Sequence, residues 1–248
     1  MLEKNSTFDG KIALVTGAGI RLGRHIAVAL AQRGCDLVLH CRKSTDETSE
    51  VAREIKKMGR RAHVIRADFS KPGQAHTLAR SAEEIYGRID ILVNSAAIFR
   101  PTPLEKINER ELKAFLDINL SAPYVLSTEI GRRMKKRGNG VIVNMACLSA
   151  MKPWKLYIPY SISKAGVVAL TVGLAKILGP EVRVNAVAPG TVLPPTNMDR
   201  SELRRLASRL PLKRLGCPED VVLSVLYLCE AVFVTGQVLY VDGGRSVE

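Results

Sequence analysis

The sequence predicts an α/β fold: one doubly wound parallel sheet of about seven strands, Rossmann-like, with helices on both faces. Three observations carry this. Residues 11–16 (KIALVT) are a short, apolar, β-branched run, followed by a glycine-bearing turn and by a helical pattern at 24–34 (RHIAVALAQRG). The same strand-then-helix alternation recurs along the chain. No break in composition divides it.

In order, strands are expected at 11–16, 37–41, 62–67, 89–93, 141–145, 182–187 and 238–241. Helices are expected at 24–34, 46–58, 74–86 and 160–178, with one long helical segment at about 105–134. Strands that are apolar almost without interruption imply a sheet buried on both faces and wound by right-handed crossovers. With 248 residues and 46% hydrophobic content the chain can bury a sizeable core, so residues 1–248 are read as a single domain. The irregular stretch 190–211 contains Pro194-Pro195 and then turns basic and helical; it is expected to form a lid over the carboxyl ends of the strands.

Composition excludes several function classes. Five scattered cysteines with no CxxC pair suggest neither a disulfide framework nor a zinc site, and reduced thiols fit a cytoplasmic location. His25, His63 and His76 show no metal-ligand spacing, so no metal is expected. The polar start at 1–6 gives no export signal, and no membrane span is expected. A net charge of +13 favours anionic partners. The basic runs at 132–137 and 200–214 lack the interleaved aromatics that would stack on bases, so they read as solvated surface and not as a nucleic-acid site.

Two stretches carry chemistry. Thr16-Gly17-Ala18-Gly19-Ile20-Arg21-Leu22-Gly23 leads from the first strand into its helix, where backbone amides at the helix start can meet a pyrophosphate. The second strand ends His40-Cys41-Arg42-Lys43-Ser44. An NAD site places a carboxylate there, and none is present; two cations and a hydroxyl suit the 2′-phosphate of NADPH. Farther on, Tyr160 and Lys164 are four apart and share a helix face. A free phenol titrates near ~10, so acid–base work near neutrality calls for a neighbouring positive charge, and Lys164 is expected to lower the Tyr160 pKa.

The glycine turn, Asn94-x-Ala96 after the fourth strand, Asn119 in the long helix and Tyr160-x-x-x-Lys164 together resemble the short-chain dehydrogenase/reductase family over essentially the whole chain. The resemblance implies a reductase in which Tyr160 is the proton donor, Lys164 its activator and a ribose ligand, and Asn119 the anchor of a water relay. It places Gly17, Arg21, Leu22, Gly23, His40, Asp68, Phe69, Asn94, Ala96, Pro189 and Gly190 around the cofactor, with Asp68 at the adenine, and it implies a homotetramer. The family's serine, thirteen residues before the tyrosine, is Cys147 here, with Ser149 two residues on. A thiol is a weak donor for polarising a carbonyl. Arg21 in place of a glycine, the run 40–44, and Phe99 within 98–104 resemble the pteridine reductase branch, where the phenylalanine stacks on a flat pterin. Arg21, Phe99, Trp154, Tyr157 and Leu193 are the substrate-side candidates. Two other readings remain: a 3-oxoacyl or other carbonyl reductase whose basic lid (Arg204, Arg205, Arg209) meets an acyl carrier, and a weakly catalytic NADP-binding interaction module.

Overall fold

A computed structural model describes residues 7–194 and 198–247. The polar start at 1–6 and Pro195 of the expected lid lie outside the described residues. The strands are β1 (Ile12–Thr16), β2 (Asp36–Cys41), β3 (Ala62–Arg66), β4 (Ile91–Asn94), β5 (Gly140–Met145), β6 (Val182–Pro189) and β7 (Val238–Val241). They form one parallel sheet in the order β3-β2-β1-β4-β5-β6-β7. The winding direction reverses between β1 and β4, which opens a crevice at their carboxyl ends.

Helices α1 (Arg21–Gln32), α2 (Thr45–Lys57) and α8 (Pro218–Glu230) cover one face. Helices α3 (Gln74–Tyr86), α5 (Ala122–Arg137) and α6 (Ile158–Leu178) cover the other. The two cores are separate. Val15, Leu30, Leu37 and Val225 pack on the first face, whereas Leu14, Leu78, Leu126 and Val184 pack on the second. Adjacent residues of β1 therefore bury opposite ways, and a one-residue slip would exchange the two cores.

The long helix expected at 105–134 is instead four pieces: a 3-10 turn (Leu104–Lys106), α4 (Glu109–Leu116), a π turn (Asp117–Ser121) and α5. Asn108 starts α4 by accepting from the Glu111 amide at 2.9 Å. The π turn has a cause in the sequence. Pro123 has no N–H to give to the Asn119 carbonyl four residues back, so the ladder widens there. Helix α7 (Arg200–Arg209) fills the later part of the 190–211 stretch and starts in a capping box between Asp199 and Glu202.

Candidate active site

The glycine turn is locked by main-chain packing. Gly17 has φ +68°, and a Cβ there would stand 3.0 Å from Ala96 Cα. A Cβ on Gly23 would lie 2.1 Å from the Gly17 carbonyl oxygen, which brings the first turn of α1 against the end of β1. Thr16 Oγ1 accepts from the Ser95 and Ala96 amides at 2.9 and 3.0 Å, tying β1 to the Asn94 turn. Among the described residues no side chain caps the start of α1, which leaves its leading amides uncapped at the end of the glycine turn.

His40 supports this turn from β2. Gly17 N–H donates to its Nδ1 at 3.3 Å, which puts the proton on Nε2, and Nε2 donates to the Ala67 carbonyl at 3.1 Å. Burial lowers its pKa to about 4, so the ring is neutral. Phe69 stacks on it with centroids 4.3 Å apart. Both were expected at the cofactor; each is under a tenth exposed, and His40 meets the glycine turn through the Gly17 amide. Asp68 is held in a local turn, accepting from the Ser70 amide at 3.1 Å and hydroxyl at 2.8 Å. The Ser70 hydroxyl, with a smaller contribution from Arg42, holds its carboxyl below the usual range.

Arg21 occupies a left-handed conformation, φ +50°, that favours glycine and costs other residues about 1–2 kcal/mol. The conformation sends its guanidinium to the Leu193 carbonyl at 2.5 Å. The glycine turn is thereby joined to the start of the 190–211 stretch. Arg42 and Lys43 are exposed beyond β2, and among the described residues neither forms an ion pair. Gly190 fits tightly against Asp242, where a Cβ would meet Asp242 Cα at 2.7 Å.

On the other side of the crevice, α6 presents Tyr160 and Lys164 as the spacing predicts. Pro159 sits in its first turn. Lys164 is buried and donates to the Met145 carbonyl at 2.6 Å; burial lowers its pKa to about 8. Its Nζ stands 5.8 Å from the Tyr160 ring centroid. The expected lowering of the Tyr160 pKa is not found. Burial, then the adjacent Cys147 thiol that hydrogen-bonds the phenol, raise it well above the ordinary tyrosine value. The ammonium that was to lower it is turned to Met145 and is itself desolvated, so the phenol stays protonated.

Cys147, not Ser149, is the residue beside Tyr160. Ser149 is fully buried, and its Oγ has no hydrogen-bond partner among the described residues. Cys147 packs with Phe115 and Tyr160. Asn119 accepts from the Ile98 amide at 2.8 Å and donates to the Ile98 carbonyl and Ser163 Oγ, both at 3.1 Å. Ser163 in turn donates to the Tyr160 carbonyl at 2.6 Å. With the Asn119 side chain so engaged, any relay starting there uses its main-chain carbonyl, which Pro123 deprives of its usual donor.

Phe99 follows directly on Ile98 and is 54% exposed, so it is no core residue. It stacks on Tyr157 at 4.7 Å and 9°, and meets Tyr160 edge-on at 4.9 Å and Trp154 at 6.2 Å. The aromatics expected on the substrate side thus form one wall running up to the phenol, with Leu193 held at the glycine-turn side by Arg21. Sequence reading gave no role to Asn144 or Ser163. Asn144 carried a signal: it is a polar residue inside a wholly buried strand, and it accepts from Asn94 Nδ2 at 2.8 Å and donates to Thr171 Oγ1 at 3.0 Å.

Fold and site together define a doubly wound α/β enzyme with an acid–base centre at the carboxyl edge of its sheet. A family described as enoyl-(acyl carrier protein) reductase matches residues 17–246. A 3-oxoacyl-[acyl-carrier-protein] reductase of Synechocystis is 33% identical, over 96% of this chain and 98% of the relative. Among solved structures, a gluconate 5-dehydrogenase from Burkholderia cenocepacia in complex with NADP and tartrate superposes with a TM-score of 0.89 at 28% identity, covering 99% of this chain and 98% of that one. A 7α-hydroxysteroid dehydrogenase complexed with NADH and an oxo bile acid gives 0.90 at 31% identity, covering 98% and 97%. The chain belongs to the short-chain dehydrogenase/reductase family of oxidoreductases.

Proposed function

We propose that this oxidoreductase uses NADPH to reduce a flat, conjugated substrate of the pterin type, with Tyr160 as proton donor. The crevice fits a dinucleotide. Its glycines leave space no Cβ could share, no described side chain caps the first amides of α1, and Arg42 and Lys43 offer exposed charge beside Ser44 for a 2′-phosphate. When bound, the nicotinamide supplies the hydride. The chain's own residues do the rest. Tyr160 holds a proton on Oη, Lys164 fixes the α6 face against β5, and Asn119 and Ser163 set Phe99 and Tyr160 relative to each other.

The observation that carries the substrate reading is Phe99: an exposed ring already stacked flat on Tyr157 and edge-on to the proton donor. Its free face suits a planar ring. The test is NADPH oxidation with dihydropterins by wild type and Phe99→Ala. Loss of a stacking partner of about 0.5–1.5 kcal/mol predicts a KM for the dihydropterin up to roughly tenfold higher. No turnover of any pterin, or an unchanged KM, would overturn the reading.

A second reading, reduction of a 3-oxoacyl or other carbonyl substrate, is favoured by the names of the relatives and by the exposed arginines of α7. It predicts that acetoacetyl thioesters outperform dihydropterins. We also propose a homotetramer. Helix α6 is 21 residues long with a mean hydropathy of 1.5 over its most apolar window, of which only 44% is buried, and Ile162, Val172 and Ile177 face outward. By length and composition alone it could cross a bilayer; its packing on β6 and its buried lysine favour a second copy over that outer side. A monomer in sedimentation would contradict this.

A further inference from the structure

The C-terminal turn puts a cation on the aromatic wall that the reading above does not use. Asp242 accepts from the Gly244 amide at 3.0 Å through Oδ1 and from the Ser246 amide at 2.7 Å through Oδ2. These bonds, with Gly243 and Gly244 at φ +66° and +90°, curl the chain into the 3-10 turn Arg245–Val247. Arg245 is thereby aimed back at the crevice. Its guanidinium lies 5.3 Å from the Trp154 ring centroid, and Nη1 donates to Thr191 Oγ1 at 3.1 Å.

Trp154 meets Tyr157 edge-on at 5.7 Å and Phe99 at 6.2 Å, and Phe99 meets the phenol of Tyr160 at 4.9 Å. A continuous wall therefore runs from the proton donor to a positive charge. Among the described residues Arg245 forms no ion pair, and Asp242, three positions earlier, has both oxygens held by amides. Among the described residues its guanidinium makes one hydrogen bond, to a neutral hydroxyl, and the fork has five donors. A guanidinium positioned over an indole with free donors matches the two oxygens of a carboxylate.

We propose that Arg245 is a specificity-determining residue that binds a carboxylate at the far end of the substrate. Preferred substrates are then reducible compounds whose flat part lies on Phe99 and whose acid group projects past Trp154. The proposal rests on the reading of this wall as the substrate side of a reductase, and it deepens that reading.

The test is calorimetric titration of the NADP⁺-loaded enzyme with folate and with biopterin, which share the pterin ring while only folate carries carboxylates. Wild type is expected to bind folate about tenfold or more tightly than biopterin, as a charge-assisted hydrogen bond implies. In Arg245→Ala that ratio falls to near one, and Arg245→Lys keeps part of it. In turnover the loss falls on KM for dihydrofolate and not on kcat. An unchanged ratio in Arg245→Ala, or an equal weakening of both ligands, as from a residue that merely props Trp154, would overturn the proposal. Should neither pterin bind, the pterin reading fails and not this one. A flat aryl ketone with its acid at the far end, 4′-acetylbiphenyl-4-carboxylate, against its neutral methyl ester, in the same three proteins, then decides by the same ratio.

Discussion

The two sides of the crevice are built by different means. On the nucleotide side the contacts run mostly between main-chain atoms, Gly17 over Ala96 and Gly23 under the Gly17 carbonyl, with one short hydroxyl, Thr16 Oγ1, taking the Ser95 and Ala96 amides. On the substrate side they are ring faces and edges, with Phe99, Trp154 and Tyr157 all partly open to solvent. Backbone packing of the first kind admits one geometry and few residues. Ring packing of the second kind can be retuned one side chain at a time, so substrate preference can drift while the nucleotide site stays fixed.

Tyr160 lies where the two sides meet, and its loss is expected to have the largest effect. Tyr160→Phe keeps the ring contact with Phe99 and removes the proton, which predicts a fall in kcat of about 10²–10⁴. Steady-state NADPH oxidation measures it, and a rate near wild type would break the assignment of the proton to the phenol. Next is Gly23→Ala. Its Cβ would meet backbone, which cannot step aside, so a cost on the order of 3 kcal/mol or more is expected in urea unfolding. Phe99→Ala, open to solvent, should cost far less stability, and equal losses would erase the distinction between the two sides.

His40 sharpens the comparison through pH. Its pKa is about 4 in the folded chain against an ordinary 6.5, because burial disfavours the cation. Between those values the unfolded chain binds a proton that the folded chain does not. This contribution is therefore fully present above pH 6.5 and is lost as the pH falls toward 4, by up to about 3 kcal/mol. Unfolding free energies at about pH 7 and about pH 5 should differ by about 2 kcal/mol from this residue, and His40→Gln should flatten that slope. An identical slope in the variant would mean that the ring titrates normally.

The smallest effect is expected at Arg21. Arg21→Gly relieves a left-handed φ and should raise stability by about 1 kcal/mol in thermal unfolding, while releasing Leu193 and raising the substrate KM. A drop in stability would show that the contact with Leu193 outweighs the backbone cost.

Much of this architecture was legible in the residues. Strands buried on both faces leave an unbroken apolar signature, and the glycine turn is written in positions that no Cβ fits. The Tyr160–Lys164 pairing follows from helical spacing alone. What the sequence concealed depends on contacts between distant segments. The supporting role of His40 needs Gly17 and Ala67 beside it, and the raised Tyr160 pKa needs the depth of burial and Cys147 beside the phenol. Trp154 and Arg245 meet only after the last strand is in place. The π turn is a different case. Pro123 announced it, but the apolar periodicity around it is continuous enough to read as a single helix.

The most direct test of the account is the ratio of kcat/KM for NADPH to that for NADH in the wild-type protein and in Arg42→Ala. Charge-assisted bonds to a 2′-phosphate predict at least about a tenfold preference for NADPH, largely lost in the variant. Equal use of NADH by the wild type, or an undiminished preference in Arg42→Ala, would contradict it.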